Sequence, residues 1–124
     1  MVTIYLKAIK NAAGNGYDLI MSDTNSQANA RDHKIIVESG STLEWELEND
    51  SMIQDIVRIY VKVIKPKGKV FKTEPRKDSS SKKFLVEVVE TDIELDDKYI
   101  IRFIAEDGTK VKIDPYIRVV PPHP

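Results

Sequence analysis

The sequence predicts an all-β protein, a single Greek-key β-sandwich of seven or eight strands, and three observations carry that prediction. Leu43, Trp45 and Leu47 alternate with Glu44, Glu46 and Glu48, the period-2 pattern of a strand with one buried and one solvated face. Eight runs rich in β-branched and aromatic residues recur along the chain, as short strands of a sandwich do. Turn-forming groups separate them: Ala13-Gly14-Asn15-Gly16, Ser39-Gly40-Ser41, Lys67-Gly68-Lys69 and Glu106-Asp107-Gly108-Thr109. With 124 residues, 41% of them hydrophobic and 31% charged, the chain suits one domain around one core. That domain is placed at residues 1–120. Pro121-Pro122-His123-Pro124 cannot continue a sheet and forms an extended tail at 121–124.

Taken in order, the strands are expected at Val2 to Ile9, Tyr17 to Met21, Lys34 to Glu38, Thr42 to Glu48, Ile56 to Ile64, Phe84 to Val89, Lys98 to Ala105 and Lys110 to Val119. The polar stretch from Ser22 to Asp32 has no apolar period and reads as an exposed loop, as does Lys72 to Lys83. Met52, Ile53, Ile56, Val57, Tyr60, Val61 and Ile64 recur at helical spacing. Because residues 56 to 64 are mostly β-branched or aromatic, a strand is expected there, after at most one helical turn. Val57, Ile59, Val61 and Val63 would face the core. The core is predicted to hold Trp45, Ile59, Val61, Val86, Ile101 and Phe103. Tyr99, opening a late strand after Leu95-Asp96-Asp97-Lys98, is assigned the corner role in which a Tyr hydroxyl returns to nearby backbone.

Composition excludes much chemistry. The chain has no Cys, which removes disulfides, thiolate ligands and a Cys nucleophile. No secretory signal is visible at the start, and no apolar run approaches the roughly 20 residues of a membrane span. Together these favour the cytoplasm and no membrane association. His33 reads as a strand-edge residue and His123 lies in the tail, with no nucleophile motif around either. The acidic run Glu90 to Asp97 lacks the ordered spacing and Gly of a calcium loop. No catalytic, cofactor-binding or metal-binding residue is therefore assigned, and no cofactor is expected.

The net charge of -1 conceals an asymmetry: Lys62 to Lys83 carries +7 and the remaining chain -8. Lys65, Lys67, Lys69, Lys72, Arg76, Lys77, Lys82 and Lys83 form the candidate anion-binding set, since clustered cations meet a polyanion at several points. Phe71 and Phe84 flank the loop Lys72 to Lys83 without interleaving as base-stacking aromatics do.

Two resemblances accompany these residues. Gly40-x-Thr-x-x-Trp45-x-x-x-Asn49, followed by a strand and then by Lys98-Tyr99, resembles the cupredoxin family over roughly residues 35 to 120. That resemblance implies a β-sandwich, cupredoxin-like or immunoglobulin-like. The family's copper ligands are missing here, because blue copper needs a thiolate and two imidazoles. Gly40-Ser-Thr-Leu-Glu-Trp45, Val57-Arg-Ile-Tyr60, Asp107-Gly108 and Asp114-Pro115-Tyr116-Ile117-Arg118-Val119 look like the PixA/AidA inclusion-body proteins, although Ile113 stands where that family usually has an aromatic residue. This second resemblance implies a small soluble bacterial protein without established catalytic residues. The expected function is a non-enzymatic cytoplasmic module that binds a protein partner or associates with itself. The alternative is an anion- or nucleic-acid-associated protein using residues 62–83.

Overall fold

The computed structural model describes residues 2–14, 16–23, 27–30, 32–48, 51–61, 70–78 and 83–122. Among these residues there is no helix, and eleven strand segments form two mixed sheets. The first sheet contains β1 (Val2–Lys10), β2 (Tyr17–Ser22), β3 (Gln27–Asn29), β5 (Thr42–Leu47), β7 (Arg76–Lys77) and β8 (Phe84–Glu87), in the spatial order β3-β2-β1-β5-β8-β7. The second contains β4 (Lys34–Glu38), β6 (Ile53–Val61), β9 (Leu95–Ala105), β10 (Lys110–Ile113) and β11 (Tyr116–Val120). Each sheet holds one parallel pair, β1 with β5 and β4 with β11.

The expected count of seven or eight strands becomes eleven for identifiable reasons. Gln27–Asn29 and Arg76–Lys77 fall inside predicted loops and are too short to carry a periodic signal. The last predicted strand is divided at Asp114-Pro115. Its two halves nevertheless share one register against β9, since Ile113 faces Ile101 and Tyr116 faces Lys98, three residues on along both chains. Pro115 has no N–H to give the ladder, but its carbonyl still accepts from Tyr99 N–H at 3.0 Å. A turn closes this long hairpin, with Gly108 at φ +87° and its N–H donating to the Ala105 carbonyl at 2.9 Å.

A single apolar core draws on both sheets. Ile4, Leu6, Leu43 and Trp45 from the first sheet cluster with Ile35, Ile59, Ile101, Phe103 and Ile117 from the second. Of the predicted core residues, Trp45, Ile59, Val86, Ile101 and Phe103 are buried, and Val61 is half-buried against them. Ala30, inside the predicted Ser22 to Asp32 loop, is also fully buried.

Strand β6 departs from the expected alternation. Its partner β9 turns Tyr99, Ile101, Phe103 and Ala105 inward at period 2. In β6 the residues opposite are Ile59, Ile56 and Ile53, at intervals of three, because the register slips between Ile53 and Asp55 and again between Ile56 and Arg58. Each slip is a β-bulge that sets two residues of one strand against one of its neighbour. Val57 is consequently turned outward and is 50% exposed, not in the core as predicted, and Val63 lies outside the described residues. No helical turn occurs at the described residues Ser51 and Met52 that lead into β6. None of the described elements is a helix long and apolar enough to cross a membrane.

Candidate functional site

Four of the eight candidate anion-binding residues, Lys72, Arg76, Lys77 and Lys83, lie in the described part of the chain. Lys65, Lys67, Lys69 and Lys82 lie outside it. The edge of the first sheet gathers three of them. Strand β8 pairs with β5 on one side and β7 on the other, aligning Glu44, Leu85 and Arg76 in one row. Lys72 N–H donates to the Glu87 carbonyl at 2.9 Å and holds the preceding segment beside β8. A groove of about 560 Å³ results, bordered by Thr42, Lys72, Thr73, Arg76 and Glu87 around the Leu85 side chain. Its size lies in the range of small-ligand pockets, roughly 300–1,000 Å³.

Most of these cations are already compensated. The Lys72 ammonium is 3.1 Å from Glu87, and that of Lys77 is 2.6 Å from Asp55 of β6. Lys83 lies 3.2 Å from Glu44 and 3.6 Å from Glu46. Its hydrogen bond to Glu44, with the charges of both carboxylates, holds the Lys83 ammonium above the ordinary lysine value. Glu44, expected on the solvated face, is only 7% exposed beneath this lysine. Arg76 alone of the four has no acidic partner among the described residues.

A second cationic feature escaped the sequence. Arg58 of β6, Arg102 of β9 and Lys112 of β10 stand directly opposite one another on the outward face of the second sheet. Arg58 is engaged by Glu74 and lies 4.1 Å from the Tyr60 ring centroid, whereas Arg102 and Lys112 have no acidic partner among the described residues. The turn at Asp107-Gly108 could have revealed the Arg102 and Lys112 pair, since folding the chain there sets them opposite. The bulges in β6 hide Arg58 from any such count.

Two buried polar groupings complete the inventory. Trp45 Nε1 donates to the Tyr99 hydroxyl at 3.3 Å, so among the described residues Tyr99 reaches across the core to an indole and not to nearby backbone. Their rings, 5.6 Å apart, both pack against Phe71. Burial pushes the Tyr99 phenol well above its ordinary value, which keeps it neutral. His33 is buried, at 1% exposure, and not a strand-edge residue of ordinary accessibility. Its Nε2 lies 3.3 Å from Asp23 Oδ2 without the alignment of a hydrogen bond. Among the described residues, no three His, Cys, Asp or Glu side chains converge as a metal site requires. No family model and no curated protein matches the chain.

Proposed function

We propose that the protein is a non-enzymatic cytoplasmic binding module, built as a Greek-key β-sandwich, and that the groove beside β7 receives an anionic group on an apolar stem. A partner protein offers such a group in an acidic side chain next to an aliphatic one, or in a C-terminal carboxylate. The observation that carries this reading is Arg76, a guanidinium with no acidic partner among the described residues, in a groove lined also by Leu85, Thr42 and Thr73, where the neighbouring lysines are already paired. A guanidinium suits the role because its fork matches a carboxylate with two parallel hydrogen bonds. Among the described residues of the basic segment, the anion-binding alternative thus rests on one residue in a shaped groove. The aligned cations Arg58, Arg102 and Lys112 favour a second reading, a polyanion laid across the outward face of the other sheet.

One experiment separates the two. Backbone amide NMR signals are followed while aliphatic-acidic peptides, and then a single-stranded oligonucleotide, are added. A peptide is expected to move the signals of Thr42, Leu85 and Arg76 saturably, and Arg76→Gln should weaken it roughly tenfold or more, as loss of a charged hydrogen bond does. Peptide shifts unaffected by Arg76→Gln would remove the groove reading. Shifts centred on Arg102 and Lys112 with the oligonucleotide would support the second.

A further inference from the structure

We propose that two copies of this chain pair through the free edge of β4, joining their second sheets into one continuous sheet. The inference goes beyond the groove and does not depend on it. Among the described residues, strand β4 is bonded to β11 on one side only. At the two ends of that parallel ladder, Tyr116 N–H donates to the His33 carbonyl at 3.3 Å and Ser39 N–H donates to the Val120 carbonyl at 2.8 Å. The odd-numbered residues of this segment therefore face β11. Lys34, Ile36 and Glu38 direct their backbone groups the other way, because successive residues of a strand alternate. Among the described residues no backbone group meets Lys34 or Ile36 there, while the Glu38 carbonyl accepts Ser41 N–H at 3.1 Å.

The five residues Lys34-Ile35-Ile36-Val37-Glu38 are self-complementary under a two-fold axis at Ile36. Antiparallel pairing sets Ile36 against the partner's Ile36 and Lys34 against the partner's Glu38, with the reciprocal contact at the other end. Ile36 and Lys34 present both N–H and C=O to the free edge, so the central Ile36 pair can exchange two hydrogen bonds, while Glu38, its carbonyl taken by Ser41, contributes its N–H to the partner's Lys34 carbonyl. Opposite charges meet at both ends, which stabilises an antiparallel pair. Ile36, 59% exposed on the outward face, would be shielded by its own copy. A slip of one residue would set Lys34 against the partner's Val37 and undo the match, so the register is specified.

The other edges are poorer templates. Strands β3 and β7 have three and two residues, β10 presents two lysines in four residues, and β6 is bulged twice. Short, charged and bulged edges resist pairing. A self-complementary edge is what a closed two-fold dimer requires.

Sedimentation velocity on the full chain, from dilute to millimolar protein, tests the proposal. Wild type is expected to move reversibly to twice the chain mass. Glu38→Lys sets like charges together at both ends and should weaken association roughly tenfold, as should Lys34→Glu. The double variant Lys34→Glu/Glu38→Lys restores complementarity and should recover the wild-type dimer. Lys34 is 3.6 Å from Asp96, whereas Glu38→Lys breaks no ion pair among the described residues and is the cleaner single change. Ile36→Lys, at an exposed site, gives an independent route to the monomer. A wild type that stays monomeric throughout, single charge reversals without effect, or a double variant no better than the singles would each overturn the proposal.

Discussion

Burial pushes the His33 imidazole below its ordinary value of 6.5, and the Asp23 carboxylate 3.3 Å away pulls upward without overcoming it. The folded state therefore keeps this ring neutral at a pH where the unfolded chain already binds a proton. Stability rises with pH wherever the unfolded state holds more protons. The contribution of His33 is thus complete above about pH 6.5 and declines as the pH falls from there toward its lower folded value. Urea unfolding between pH 5 and 7.5 is expected to show a steeper loss of stability on acidification in wild type than in His33→Gln, which removes the titrating group. Parallel pH profiles for the two proteins would show that the ring is protonated equally in both states. His33 was misread in the sequence for a related reason. Nothing in Asp32-His33-Lys34 reveals a carboxylate ten positions earlier, and only the fold brings Asp23 against the ring.

Strand β6 shows where reading from pattern breaks down at the scale of an element. Ile53, Ile56 and Ile59 repeat at intervals of three, close to a helical period, yet two bulges deliver the same spacing to a sheet. Composition decided correctly for a strand, since β-branched side chains fit a pleated surface. Simple alternation then misassigned Val57. Substitution separates the two accounts: Val57→Lys is expected to leave stability within about 0.5 kcal/mol, as surface changes do. Ile59→Lys, burying an unpaired ammonium, should prevent cooperative folding. Thermal melts decide, and strong destabilisation by Val57→Lys would mean that the bulges are misplaced. Elsewhere the pattern sufficed. Lys34–Glu38 forms the predicted strand because its inward residues Ile35 and Val37 alternate cleanly with Lys34, Ile36 and Glu38. Gln27–Asn29 and Arg76–Lys77 depend on neighbouring strands for their pairing, and that information is not local.

For the molecule as a whole, the charge asymmetry legible in the sequence is partly dissolved by folding. The basic segment contributes Lys72, Lys77 and Lys83 to pairs with Glu87, Asp55 and Glu44, so the candidate site could not be sized from the charge count. Two pairs, Lys77 with Asp55 and Arg58 with Glu74, also link the β7 edge of one sheet to β6 of the other. Between the sheets lies the second kind of link, the buried Trp45 with its bond to Tyr99 and its contact with Phe71. The two make different demands on solvent. Exposed ion pairs gain little because water and salt screen them, while truncating a buried large aromatic removes its transfer free energy and leaves a cavity, about 3–5 kcal/mol. The core should therefore hold the sheets together. Lys77→Gln combined with Arg58→Gln is expected to lower the melting temperature by a small fraction of the drop caused by Trp45→Ala, and 1 M salt should change the wild-type midpoint little. Wild-type tryptophan fluorescence should be blue-shifted and resist iodide. A double charge variant as damaging as Trp45→Ala would show instead that the edge contacts, and not the aromatic core, join the two sheets.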